Sequence, residues 1–111
     1  RERIQAFALC AVAGGRLVRI IEKPTPAQAA SLPDALVSMS CWRMPPAIHD
    51  ACRAVTPSVR GELELNDAVN ALIGAGVTFE AAIAEDGVLD LSRRGDIAAV
   101  ERALAGVTVD P

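Results

Sequence analysis

The sequence predicts an α/β domain in which a mixed β-sheet is flanked by helices. Three observations lead there: an apolar hairpin turned by Gly14-Gly15, a change from strand-like to helical apolar spacing at Pro46, and a return to an extended run after Gly76. Strands separated by helices need crossover connections, which a parallel or mixed sheet provides.

Ile4 to Val12 is almost wholly apolar, and Arg16 to Glu22 follows the two glycines, so strands are expected over 4–12 and 16–22. Lys23-Pro24-Thr25-Pro26 ends the second strand, because proline has no N–H to give to a ladder. Ala27 to Ser31 reads as one helical turn in a surface loop, and Asp34 to Met44 as a buried strand closed by Pro45-Pro46. Ile48, Ala51, Cys52 and Val55 then lie on one helical stripe, which places a helix over 46–55. Leu65, Ala68, Val69, Leu72 and Ile73 mark a second helix over 66–75, with Asn66 as its N-cap and Gly74 and Gly76 as stops. Val77 to Ala84 and Val88 to Leu91 read as strands about the turn Glu85-Asp86-Gly87. Ile97, Val100, Ala103 and Leu104 give a last helix over 95–105.

Composition narrows the function classes. The 111 residues are 51% apolar and 23% charged, with a formal charge of −3, so the cationic surface that neutralises nucleic-acid phosphates is missing. No apolar run approaches the roughly 18–20 residues of a membrane helix. Nucleic acid and membrane are therefore not expected partners. Cys10, Cys41 and Cys52 are too widely spaced for a zinc or disulfide pattern, and the expectation is three buried, reduced thiols in a cytoplasmic protein. The chain opens Arg1-Glu2-Arg3, which reads as a cut within a longer polypeptide.

Charge gathers at the ends of elements: at Glu22-Lys23-Pro24, across Arg60-Gly61-Glu62-Leu63-Glu64-Leu65-Asn66-Asp67, at Asp90 and at Arg93-Arg94. In open α/β sheets such ends are where ligands bind. Four blocks in this order, I-I-E-K-P, A-L-V-S-M-S-C-W-R-M-P, P-S-V-R-G-E-L-E-L-N-D-A-V and G-V-L-D-L-S-R-R-G-D-I, make the chain resemble the C-terminal part of the sugar-1-phosphate nucleotidyltransferases. The resemblance runs from about Ile4 to Leu104, and R-G-E-L-E-L-N-D is its most specific element. It implies the C-terminal part of a Rossmann-like nucleotide-diphospho-sugar transferase fold. The glycine-rich signature loop, the base-recognition residues and the first metal aspartate of that family would lie in an N-terminal half.

The resemblance also implies a reaction. A sugar-1-phosphate oxygen attacks the α-phosphorus of a nucleoside triphosphate, giving a nucleotide sugar and pyrophosphate, and the protein positions cations and Mg²⁺ around the phosphoryl oxygens. Position by position, Lys23 resembles the lysine on the sugar phosphate, Arg60 a phosphate-contacting arginine and Glu22 the glutamate that accepts from sugar hydroxyls. Asp90 resembles the second magnesium aspartate, a hard oxygen ligand of the kind Mg²⁺ takes. Ser38 stands on the strand that ordinarily presents a glycine and a tyrosine to the sugar, so the acceptor is expected to be unusual, a cyclitol or amino sugar. The loop Asp90-Leu91-Ser92-Arg93-Arg94 likewise departs from the family's Asp-x-Gly-Thr-Pro.

Plainer roles compete with these. Lys23 would end a strand, Arg60 would pair with Glu62 or Glu64, Asp90 would begin the last helix, and His49 would be an exposed bystander. The alternative function is a non-catalytic, truncated relative serving as an assembly or regulatory module, and both readings leave room for a homo-oligomer. If the family reading holds, Lys23, Arg60 and Asp90 should face one cleft, and the isolated chain should be catalytically silent.

Overall fold

Two glycines in the left-handed region, Gly14 at φ 57° and Gly15 at φ 74°, turn β1 (Leu9–Ala13) back onto β2 (Arg16–Ile21). Positive φ at both central residues suits the twist of a tight hairpin, and glycine adopts it without steric cost. The computed structural model describes residues 7–85 and 87–108. The strand expected from Ile4 thus begins outside them. The remaining elements are α1 (Pro26–Ala30), β3 (Leu36–Val37), α2 (Ile48–Ala54), α3 (Leu65–Gly74), a 3-10 turn (Arg94–Asp96) and α4 (Ile97–Leu104).

The sheet has the order β2-β1-β3, with both pairings antiparallel. Ala11 faces Arg19 while Val12 faces Leu17, so Val18 is an extra residue with no partner opposite. This bulge explains the burial pattern. Strict alternation would send Leu17 and Ile20 to opposite faces, whereas both are buried, at 7% and 2% exposure, and Val18 is left outside.

The outer side of β2 is covered rather than left as a bare edge. Leu17 N–H donates to the Phe79 carbonyl at 2.9 Å, and Ala81 N–H donates to the Gly15 carbonyl at 2.8 Å. Farther along, the side-chain amide of Asn70 on α3 imitates a neighbouring strand. Its Oδ1 accepts from Ile20 N–H at 3.0 Å and its Nδ2 donates to the Ile20 carbonyl at 2.8 Å. Unpaired main-chain groups at a sheet edge invite foreign strands, and those of a buried residue are costly to leave unmet.

Behind this clasp lies the core of Ala8, Leu17, Ile20, Ile48, Ala68, Val69, Leu72 and Phe79. Ala68 and Val69 are wholly buried, and the small Ala68 side chain suits close approach of the helix to the strand. Trp42 meets Phe79 edge to face, with ring centroids 6.2 Å apart, a favoured aromatic geometry. The α1 start carries a reciprocal cap. Thr25 Oγ1 accepts from Gln28 N–H at 3.2 Å, and Gln28 Oε1 accepts from Thr25 N–H at 2.8 Å.

Several expectations are corrected. Helices and sheet agree with an α/β class, but the sheet among the described residues is wholly antiparallel. Among the described residues the strand expected over Asp34–Met44 forms a ladder only at Leu36–Val37, and Val77–Ala84 contributes a single bridge, Glu80 to Arg16. Val88–Leu91 forms no ladder with the described residues. Apolar sequence favours extended backbone, but a ladder needs a partner that runs alongside for several residues, and among the described residues these segments meet the sheet only briefly, at Leu36–Ser38 and at Phe79–Ala81. Cys41 and Cys52 are exposed and only Cys10 is partly buried, because residue 41 lies outside the sheet and residue 52 on the solvent side of α2. His49 is exposed, as expected.

Candidate functional site

Glu22 and Lys23 follow directly on β2, so the strand that Asn70 anchors also carries them. Lys23 has φ 41°, a left-handed conformation unusual for a residue with a Cβ and one that takes the chain out of the strand. Strained backbone of this kind persists where its surroundings enforce it, and it concentrates at functional sites. The next residue, Pro24, is buried.

Opposite this strand end the chain makes a turn before α3. Ser58 organises it: its carbonyl accepts from Gly61 N–H at 2.8 Å, its N–H donates to the Glu62 carbonyl at 2.9 Å, and its Oγ accepts from Arg60 N–H at 3.2 Å. Gly61, at φ 75°, supplies the left-handed residue that the turn requires. The same hydroxyl donates to Glu64 Oε1 at 2.9 Å, and Arg60 Nη2 donates to that carboxylate oxygen. The competing role for Arg60, an ion pair with Glu64, is thus present in the structure.

A cleft of about 210 Å³ opens between the end of β2 and the start of α3. Glu22, Ser58, Arg60, Glu64, Asp67 and Asn70 are among its lining residues. Lys23 reaches the same neighbourhood: its Nζ lies 4.0 Å from Glu62 Oε2 and its charge acts on Glu64. Asn66 Nδ2 donates to Glu22 Oε2 at 2.5 Å and so joins the E-K-P segment to α3.

Glu64 shows how the charges balance. Burial raises its carboxyl pKa, but hydrogen bonds from Ser58 and Arg60, with the charges of Arg60 and Lys23, outweigh that and hold it below the ordinary glutamate value. A carboxyl with a depressed folded-state pKa stabilises the fold above its unfolded pKa, and that contribution disappears as pH falls through the folded value. Wild-type stability should therefore fall more steeply than that of Glu64→Gln as pH drops below about 4.5, read from urea midpoints measured at several pH values. Parallel pH profiles would remove Glu64 from the acid response.

The other sequence candidates lie apart from this cleft. Ser38 Oγ accepts from Ser40 N–H at 3.3 Å and hydrogen-bonds the Cys10 thiol. Burial pushes that thiol pKa up, and the Ser38 bond offsets part of the rise. Asp90 is exposed, accepts from Ser92 Oγ at 2.7 Å, and does not line the cleft. Glu22, Lys23 and Arg60 are thus brought together, while Ser38 and Asp90 are not brought to them. Sequence reasoning missed Asn70 and took Asn66 for a cap. The available signal was their i, i+4 spacing beside the apolar stripe, which puts two amides on one helix face.

No family model matches the chain. Over 90 residues, 81% of its length, it is 34% identical to a UTP–glucose-1-phosphate uridylyltransferase of Haloferax volcanii, of which the match covers 35%. It is 33% identical over 90 residues to a glucose-1-phosphate thymidylyltransferase of Streptomyces antibioticus, covering 81% of this chain and 24% of that one. A thymidylyltransferase of the same kind from Streptomyces griseus is 34% identical over 94 residues, covering 85% and 25%.

The chain is a relative of the sugar-1-phosphate nucleotidyltransferases. It spans about a quarter to a third of the length of these curated relatives. Among the described residues no helix is long and apolar enough to cross a membrane.

Proposed function

We propose that the chain is the sugar-phosphate-binding, C-terminal part of a cytoplasmic sugar-1-phosphate nucleotidyltransferase. The whole enzyme would transfer a nucleotidyl group from a nucleoside triphosphate to a sugar-1-phosphate, with an N-terminal part supplying the nucleotide site and completing a Rossmann-like sheet. The observation that carries this reading is the meeting of Glu22 and Arg60 in the lining of one cleft, with Lys23 beside it, from segments nearly forty residues apart in sequence.

The chemistry suits those residue types. A sugar-1-phosphate presents a dianion beside a ring of hydroxyls. Arg60 offers a planar guanidinium for phosphate oxygens, Lys23 a compact second cation, and Glu22 a carboxylate that accepts from hydroxyls. Holding the phosphate between two fixed cations orients its oxygen for attack on an α-phosphorus and offsets charge that accumulates there, without a covalent intermediate. Ser38 remains a proposed contact to the sugar, by way of the rest of the enzyme.

Asp90 is the proposed magnesium ligand. It offers an exposed, hard carboxylate of which, among the described residues, only Oδ1 is engaged, by Ser92, and Mg²⁺ commonly takes one or two carboxylates together with waters and phosphate oxygens. Among the described residues no cluster of three or more His, Cys, Asp or Glu side chains is placed to hold a metal, and in the proposed site the ligands besides Asp90 come from phosphate oxygens, waters and the N-terminal part. Magnesium held there would neutralise phosphoryl charge.

The test is a titration of the isotopically labelled chain with glucose 1-phosphate, followed by amide chemical shifts. Perturbations are expected to gather over residues 20–23 and 58–67. Perturbations centred elsewhere, or none at millimolar ligand, would overturn the assignment of the cleft.

A further inference from the structure

The carboxylate in the cleft is held from behind by a residue that does not itself line the cleft. Asn66 Nδ2 donates to Glu22 Oε2 at 2.5 Å, which leaves Glu22 Oε1 without a partner among the described residues. Asn66 has no capping duty. It is the second residue of α3, the cap position belongs to Glu64, and no side chain makes a capping bond there. Asparagine is a poor helix interior residue, because its amide competes for nearby main-chain groups. Here the amide is committed to Glu22 instead.

The geometry of that contact is fixed at both ends. One turn farther along α3, Asn70 bonds both main-chain polar groups of Ile20, two residues before Glu22, so helix and strand cannot slide independently. A carboxylate held by one oxygen, on a fixed strand end, presents the other in a fixed direction.

We propose that Asn66 is a positioning residue that sets Glu22 for sugar hydroxyls, and so gives the cleft its preference for a sugar phosphate over bare phosphate. The proposal rests on reading the cleft as a sugar-phosphate site. Arg60 and Lys23 meet the phosphate that both ligands share, whereas only the sugar phosphate brings hydroxyls to Glu22. Loss of the amide should therefore separate the two affinities, which a purely structural role would not do.

The experiment is calorimetric titration of the intact chain, as wild type, Asn66→Ala and Glu22→Ala, with glucose 1-phosphate and with inorganic phosphate. Wild type should prefer glucose 1-phosphate. Asn66→Ala should lose roughly tenfold in glucose 1-phosphate affinity while phosphate affinity stays within about twofold. Where Asn66→Ala does not fold, Asn66→Leu removes the donor with a similar shape and no added charge, with the same expectation. If Glu22→Ala abolishes the preference but the Asn66 variants retain it, or if they weaken both ligands equally, the positioning role is overturned. If wild type shows no preference, or Glu22→Ala leaves it intact, the reading of the cleft fails and the proposal with it.

Discussion

Replacing Asn70 with alanine is expected to destabilise the chain by about 2–4 kcal/mol, the lower part of the sum for one donor and one acceptor left unmet on a buried residue. Ile20, only 2% exposed, would lose the partners of both its N–H and its C=O in a single substitution. Val69, next to Asn70 in α3, is wholly buried, but Asn70 itself lines the cleft, so water can replace part of the lost bonding and the cost falls toward the lower end of that sum. Against a total stability of roughly 5–15 kcal/mol this is a large fraction. Asn70→Asp should be as damaging, since it retains an acceptor for Ile20 N–H but turns a second carboxylate oxygen on the Ile20 carbonyl. Urea unfolding followed by circular dichroism reads both effects. A midpoint unchanged from wild type in Asn70→Ala would mean that solvent satisfies the β2 edge and that the clasp does not hold α3 in place.

That clasp also marks where the sequence stops being readable. The hairpin was legible because Gly14-Gly15 between apolar runs has few other uses, and α2, α3 and α4 fall within one or two residues of their expected bounds because 3.6-residue periodicity is a local property. Strand pairing is not local. Residues 34–44, 77–84 and 88–91 have the composition of strands, yet a ladder depends on what lies beside them, and among the described residues only Leu36–Val37 pair as a strand and only Glu80 forms a bridge. Patterning also overstated two faces. Leu65, on the expected stripe of α3, is 46% exposed, and Cys52 on α2 points to solvent, because each packed face is narrower than the apolar stripe. At the site, the E-K-P and R-G-E-L-E-L-N-D segments carried Glu22, Lys23 and Arg60 to one place. The bonds that join those segments, Asn66 to Glu22 and Asn70 to Ile20, depend on packing α3 against β2, which no spacing within either segment encodes.

Arg60→Ala should carry the largest functional effect, a fall of about 10- to 100-fold in glucose 1-phosphate affinity, since hydrogen bonds to a charged group contribute about 1.5–3 kcal/mol each. Two losses combine. The guanidinium disappears, and Glu64, which accepts from it, is left as a less compensated negative charge in the cleft where a phosphate must enter. Adding Glu64→Gln to Arg60→Ala should therefore recover part of the affinity, a non-additivity expected of neighbours that share a network. Arg60→Lys should fall between, keeping the charge but losing the planar pair of donors. Lys23→Ala should cost less, because the lysine is half exposed and its ion pair with Glu62 spans 4.0 Å, and its effect should shrink further as salt is raised. Calorimetric titration of each variant supplies the affinities, and urea midpoints supply the control. If Arg60 served only to pair with Glu64, Arg60→Ala would leave ligand affinity at the wild-type value and lower stability by at most about 1 kcal/mol, as partly exposed ion pairs do. The ratio of affinity loss to stability loss thus decides between a phosphate-binding arginine and a surface ion pair.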